Sequence, residues 1–485
     1  MFRVFLVAAC TTVLWILAAG RAQQARAAAP VAGEMKTPEG PREPDLGKLR
    51  GGETTKAATA KLTIDAGNIR YALDGFGGNY CFAIDSPPAQ YTLEHLRSAW
   101  ARVEMVATQW APDPADFSAE EPDWNKLESR DVPGSVLRRR FQFDQQLRKR
   151  SLPLVSSIWW LPEWLYGDTA RKRADGHRRV VPRDRWPQMA QVIGSYVLHE
   201  KRRYGVEPEL FSFNESNIGV MVLMTPEEHR DVIKFLGAYF ARKGLKTKML
   251  LGDSTGPRSI SFTQPAAGDP QALKYVGAVA FHSWGGAEPG VYAGWAELAE
   301  RLKLPLLVTE LGVDANYRAR PHKQPGYGLR EVRMYQELLL HARPAATMYW
   351  EFTGDYSLVD WQKGSGGQLQ ISPTDRFFFT KHFCNLTPPQ ADALATSSDC
   401  PDVLVTAFAA GPVPQRVYTI HIANLGPARE ARLTGLPPGV TRFRAICTSP
   451  SESFREREPV HCAAGEARLS LPAASLLTLT NVAER

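Results

Sequence analysis

The chain has 485 residues, of which 44% are apolar and 22% charged. That balance excludes a disordered or collagen-like polymer and leaves room for a barrel of about 250 residues plus a smaller domain. The formal charge of +7 is modest and gathers in Arg138-Arg139-Arg140, Arg148-Lys149-Arg150 and the stretch from Arg171 to Arg185. With no aromatic-interleaved RNA signature and no zinc-finger spacing, nucleic acid is not expected as a partner.

Arg3, the apolar run from Val4 to Ala19 and the small residues after it have the layout of a secretory signal. Residues 1–22 are therefore expected to be removed, giving a secreted or periplasmic protein with no stable membrane insertion. Residues 23–60, rich in Ala, Pro, Gly, Glu and Lys, read as a disordered linker. Folded sequence begins near Lys61 with the alternating Leu62-Thr63-Ile64-Asp65, a short strand.

From Asp74 to about residue 372, short apolar runs alternate with amphipathic helical stretches. The expected strands are Asp74 to Tyr80, Arg102 to Thr108, Pro153 to Ser157, Leu210 to Asn214, Lys248 to Asp253, Gly277 to His282, Leu306 to Thr309 and Ala346 to Trp350. The expected helices are Leu93 to Trp100, Ser135 to Lys149, Trp186 to Tyr204, Pro226 to Lys243, Gly294 to Leu302 and Leu329 to His341, with a weak one near Gln271 to Tyr275. Strands and helices in this alternation predict a closed (β/α)8 TIM barrel. Gly75-Phe76-Gly77-Gly78 is not the phosphate-binding turn of an open dinucleotide-binding sheet. From about residue 373 to 485, short strands separated by Pro/Gly turns predict a C-terminal β-sandwich.

Cys384 with Cys400, and Cys447 with Cys462, are two local pairs that could close disulfide loops, leaving Cys81 single; buried thiols are the alternative. His382 near Cys384 and His461 beside Cys462 lack the repeated spacing of a zinc site, so neither metal nor cofactor is expected.

In such a barrel, chemistry sits where strands end. Glu215 ends the fourth strand and Glu310 the seventh, each directly after an apolar run. Two carboxylates reaching across one barrel mouth can cleave a glycosidic bond, one as acid and the other as nucleophile. Glu104, Glu163, Asp253 and Glu351 also lie near strand ends, and with no matching partner they read as supporting residues.

Several motifs carry a family resemblance: Asp74-Gly75-Phe76-Gly77-Gly78, Trp159-Trp160-Leu161-Pro162-Glu163-Trp164, Asn214-Glu215, Gly252-Asp253, Lys274-Tyr275-Val276, His282 and Thr309-Glu310. From about Leu62 to the C-terminus, the chain resembles glycoside hydrolase family 30, within the retaining clan whose catalytic glutamates end strands four and seven. The family's usual Gln-Asn-Glu-Pro is Phe213-Asn214-Glu215-Ser216 here, and its His-x-Tyr is His282-Ser283-Trp284.

The resemblance implies Glu215 as acid/base and Glu310 as nucleophile, with Asn214 on the sugar 2-hydroxyl and Arg102 keeping Glu310 ionised. It implies His282 and Trp284 beside the nucleophile, Trp350 as an aromatic floor, and Trp159 either at the substrate or packed beneath its loop. It also implies that the strand at 61–73 joins the sandwich. The expected function is retaining hydrolysis of β-linked glycans or glycosides; the alternatives are a transglycosylase on the same site or a non-catalytic glycan-binding barrel. The basic loop from Arg171 to Arg185 reads as a solvated face or, alternatively, as a reader of carboxylated sugars through Arg178 and Arg179.

Overall fold

The computed structural model describes residues 58–118, 121–167, 179–313, 322, 326–354, 356–364, 366–437 and 439–482. The signal segment and nearly all of the 23–60 linker lie outside them. Among the described residues, no helix is long and apolar enough to cross a membrane.

Eight parallel strands close the barrel: β2 (Gly75–Tyr80), β3 (Ala101–Glu104), β4 (Leu154–Ile158), β5 (Leu210–Phe213), β6 (Lys248–Ser254), β7 (Val276–Trp284), β8 (Leu306–Gly312) and β9 (Ala346–Tyr349). Closure is made by β2, which pairs with both β3 and β9. Side chains alternate inward and outward along each strand, and the inward set has two layers. Val155, Leu210, Leu250, Ala278, Ala280, Leu307, Ala346 and Met348 form an apolar plug. Two residues further along, β4, β5 and β7 present Ser157, Ser212 and His282, all buried, and β2 and β3 add Asn79 and Arg102. The plug excludes water from below, so a polar layer lies over a dry floor.

The surrounding helices bury one stripe each. Pro226–Arg242 is held at its start by a capping box between Thr225 and Glu228, and buries Val232, Ile233, Leu236 and Phe240. The first helix is Pro87–His95 rather than Leu93 to Trp100, because Ser86 caps it and two prolines occupy its first turn.

The eighth strand's helix, Asp375–Leu386, follows the expected boundary at Pro373, so the barrel's last helix lies inside the segment assigned to the sandwich. Phe377, Phe379, Phe383 and Cys384 pack into the barrel-side core. His382 on the same helix meets Thr478 at 2.7 Å and Thr448 at 2.9 Å. A helix wedged between two layers is apolar on several sides and shows no single stripe.

Between β9 and this helix a two-stranded hairpin projects, β10 (Val359–Lys363) against β11 (Leu369–Pro373). Beyond it come β12 (Ala391–Ser398), β13 (Val403–Ala410), β14 (Val417–Asn424), β15 (Arg429–Thr434), β16 (Arg442–Ser449), β17 (Glu452–His461), β18 (Glu466–Leu471) and β19 (Ser475–Thr480). With β1 (Ala60–Leu73) they form one nine-stranded sheet folded over its own apolar core as a β-sandwich. β1 runs antiparallel to β12 and parallel to β15. Sandwich residues Ala391, Phe408, Ala423 and Leu476 also enter the core of the barrel, which joins the two layers.

Neither cysteine pair is bonded: Cys81, Cys384, Cys400, Cys447 and Cys462 are all free thiols. Cys447 pairs across the sheet with Arg455, whereas Cys462 bonds back to Thr441, six residues before Cys447 on the neighbouring chain segment. That is about 20 Å of strand, far beyond the reach of a disulfide.

Candidate active site

Arg102 is the hub of the polar layer, and all five of its N–H groups are used. Nε donates to Ser157 Oγ at 2.8 Å, Nη1 to Asn79 Oδ1 at 3.1 Å and Glu310 Oε1 at 2.7 Å, and Nη2 to Asn214 Oδ1 and Asp253 Oδ2 at 2.7 and 2.8 Å. Asn79 is held in turn by donating to the carbonyls of Thr309 and Tyr349 at 2.9 and 3.1 Å. Ser212 donates to Asp253 at 2.6 Å. Because an arginine only donates, the Asn214 atom facing it is its oxygen, and the amide nitrogen is turned elsewhere.

His282 stands between the two glutamates. A shift of register between β7 and β8 sets it directly beside Glu310 in the ladder. Its Nδ1 lies 2.9 Å from Glu215 Oε1 and 3.1 Å from Glu310 Oε2, and its Nε2 lies 3.1 Å from Asp253 Oδ1. One nitrogen is therefore flanked by both carboxylates. The three ligand-type atoms of Glu215, His282 and Glu310 lie within 4.8 Å of one another. Such a set could hold a cation by chemistry, but the Arg102 guanidinium 2.7 Å from Glu310 opposes a second positive charge there.

Charge fixes the state of these groups. Burial pushes the Glu310 carboxyl up, but His282 and Arg102 more than reverse this and hold it below the ordinary glutamate range. Asp253 is driven further down, since Arg102 and His282 again outweigh its burial. Burial disfavours the charged His282, yet Glu310 and the hydrogen bond to Asp253 raise it well above the usual imidazole value. The surrounding carboxylates thus favour the charged form of His282, in which both nitrogens donate.

The backbone at the site is bent. Glu215 has φ of 44° and Asp253 of 58°, both left-handed, and the Glu215 N–H donates to the Asp253 carbonyl at 3.0 Å. Such conformations cost on the order of 1–3 kcal/mol each and persist where the surroundings fix them.

Aromatic side chains rim the mouth. Trp284 donates its Nε1–H to Glu310 Oε2 at 3.0 Å and packs on Tyr356 at 5.7 Å. Gly312 makes room for it: a Cβ there would lie 2.2 Å from the indole. Trp159 covers the Arg102 guanidinium at 4.7 Å and lies 5.9 Å from Trp350. Phe82 touches Trp159, Trp160 and Trp350 at 5.1, 5.9 and 6.0 Å. Trp164 instead packs on Phe117 and donates to the Ala111 carbonyl, under its loop.

The structure thus gathers Arg102, Asn214, Glu215, His282, Trp284 and Glu310 into one network, with Trp159 and Trp350 beside it. Asn79, Ser157, Ser212 and Phe82 were not expected, and Asp253 takes a more central place than a strand-end carboxylate suggested. In the basic loop, Arg178 lies outside the described residues. Arg179 is buried, stacks on Tyr166 at 3.6 Å and pairs with Glu163. It is therefore not a solvated side chain.

No family model and no curated protein matches the sequence. Solved structures do match the fold. An endoxylanase of glycoside hydrolase family 30 from Clostridium papyrosolvens C71 superposes with a TM-score of 0.67 at 16% identity, over 87% of this chain and 100% of its own. The fold is the one seen in glycoside hydrolase family 30. An endo-β1,6-glucanase gives a TM-score of 0.60 at 15% identity, covering 89% of this chain and 95% of its own. A family 39 β-xylosidase from Caulobacter crescentus gives 0.56 at 15%, over 87% and 99%. At these identities the likeness is one of architecture, and the chemistry rests on the side chains of this chain.

Proposed function

We propose that the protein is a retaining β-glycoside hydrolase working by double displacement, with Glu310 as nucleophile and Glu215 as acid/base. The observation that carries this reading is the spacing of the two glutamates, whose oxygens flank one imidazole nitrogen and lie within 4.8 Å. Retaining enzymes separate their carboxyl groups by about 5–5.5 Å, whereas inverting ones need about 6.5–9.5 Å to admit a water.

The surroundings of the two carboxylates support the division of roles. Glu310 accepts from Arg102, His282 and Trp284, and three donors suit a group that must be ionised to attack. Glu215 shares the His282 Nδ1–H with Glu310 and takes no hydrogen bond from Arg102 or Trp284, so it has fewer donors than the nucleophile.

In the first step a Glu310 oxygen bonds to the anomeric carbon as the bond to the leaving oxygen breaks, and that oxygen takes the Glu215 proton. In the second, Glu215 accepts a proton from water as the water oxygen bonds to the same carbon and the Glu310 ester breaks. Asn214, with its oxygen held by Arg102, turns its amide toward a sugar hydroxyl. Half-buried Trp350 supplies a flat face for the C–H side of the ring, and Trp159, buried against the Arg102 guanidinium, backs it. The xylanase and β1,6-glucanase of the same fold support a β-linked glycan as substrate. The apolar run behind Arg3 supports export to where such glycans are found.

The test is the stereochemistry of the first-formed product from an aryl β-glycoside, followed by proton NMR. The β anomer is expected first; initial appearance of the α anomer would rule out double displacement.

A further inference from the structure

Six large apolar side chains are exposed among the described residues, and Trp361, at 46%, is the single aromatic one. Leu369, equally exposed at 46%, lies on the facing strand of the same hairpin. This hairpin belongs to the connection after the eighth barrel strand, so it rises from the face that holds the two glutamates.

The chain leads to it directly from the site. Trp350 directly follows the strand, and Tyr356 packs against Trp284, the donor to Glu310. Five residues past Tyr356 comes Trp361, at most about 18 Å of extended chain further out. Alternation places Trp361 on the same side of β10 as Val359, and Trp361 pairs with Ile371. Val359 is buried and Ile371 packs on the barrel core, so the inner end of this face is anchored while the indole stands in solvent. Lys363 and Leu369, a facing pair, share its side of the hairpin, whereas Asp360, Gln362 and Gln370 lie on the other side, where Gln362 donates to Gln370 at 2.9 Å. A flat apolar ring with an ammonium donor two residues along the same face has the chemistry that takes a pyranose, with C–H groups on the ring and a hydroxyl at the lysine.

We propose that Trp361 is an outer sugar-binding platform, and that the substrate is a β-glycan chain long enough to reach it from the cleaved bond. This rests on the glycoside hydrolase reading and narrows it from small glycosides to polymers. The hairpin lies outside the catalytic network, so Trp361 contributes to holding a long chain and not to bond cleavage.

The experiment compares wild type, Trp361→Ala and Trp361→Phe on aryl β-glycosides and on a panel of xylan, β-1,6-glucan and β-1,4-glucan. On the polymer cleaved best, Trp361→Ala is expected to raise KM about threefold to tenfold, from the loss of one aromatic contact. The aryl glycoside kinetics should stay unchanged, and Trp361→Phe should recover most of the polymer affinity. Equal effects on both substrate types, no effect on either, or a change only in oligomeric state would overturn the proposal. So would a wild-type enzyme that cleaves aryl glycosides but no polymer, which leaves the glycosidase reading standing. Absence of hydrolysis of every substrate would remove that reading and this proposal together.

Discussion

Trp284→Phe isolates one hydrogen bond at the nucleophile. It removes the N–H that reaches Glu310 Oε2 at 3.0 Å and keeps an aromatic ring beside Tyr356. A hydrogen bond to a charged acceptor contributes about 1.5–3 kcal/mol. Arg102 at 2.7 Å and His282 at 3.1 Å still hold the carboxylate, so the lower figure applies. One pKa unit is about 1.4 kcal/mol of difference between protonation states, so the Glu310 pKa should rise by about one unit.

The direction follows from what sets that pKa now. Burial pushes it up, and His282 and Arg102 bring it below the ordinary value; the indole acts in their sense. Attack requires the ionised form, so the acidic limb of kcat/KM against pH should move up by about one unit, with the basic limb in place. The assay is the pH profile on an aryl β-glycoside. An acidic limb that stays put while kcat/KM falls evenly at all pH would mean that the indole only touches the sugar, and its assignment as a donor to the nucleophile would be wrong.

Gly312→Ala should mimic that variant, because its Cβ would fall 2.2 Å from the Trp284 ring and displace it. The double variant should be no worse than Trp284→Phe alone, and additive losses in kcat/KM would contradict the coupling. Arg102→Met leaves Asp253 and Glu310 buried without their guanidinium, and should lower the unfolding free energy by about 3–5 kcal/mol in denaturant titrations. A loss under about 1 kcal/mol would mean the hub is not structural.

Acid should unfold the protein steeply. Burial lowers the imidazole of His421 to about 3 and takes His382 well below its usual value. The unfolded chain therefore binds protons below about pH 6.5 that the folded one refuses. Asp253 and Glu310, held low by Arg102 and His282 against burial, act the same way below about pH 4.5. From there down to its own value of about 3, the His421 imidazole alone removes up to about 1.4 kcal/mol per pH unit, and His382 acts in the same direction. A Tm that is flat between pH 4.5 and 3.5 would refute this.

The barrel strands were legible because strands buried on both faces read as continuous apolar runs, as in Leu306-Leu307-Val308 before Thr309-Glu310. The two glutamates stood out for the same reason, being carboxylates at the ends of such runs. Asn79, Ser157 and Ser212 did not stand out. They are small polar residues at inward positions of apolar strands, where nothing in their spacing distinguishes a hydrogen-bonded layer from an ordinary polar substitution. Ser86 followed by Pro87-Pro88 marks the start of the first helix, and the spaced Leu93, Leu96 and Trp100 continue an apolar pattern past its end at His95.

Other elements left weak traces. β17 carries exposed or half-exposed residues throughout and lacks the alternation that marks a half-buried strand. The hairpin at Val359–Lys363 is polar apart from Val359 and Trp361. Asp375–Leu386 is apolar toward both barrel and sandwich, so no single stripe marks it as a helix. The cysteine spacings suggest bridges only while closeness in sequence stands for closeness in space, and Cys447 and Cys462 lie at different heights of paired extended strands.

The covalent intermediate tests the central claim most directly. After incubation with a 2-fluoro β-glycoside bearing a good leaving group, the protein is digested and sequenced by mass spectrometry. A single glycosyl adduct is expected on Glu310, the residue held by Arg102, His282 and Trp284. An adduct on Glu215, or rapid turnover of the natural glycoside with no adduct on either glutamate, would contradict the assignment.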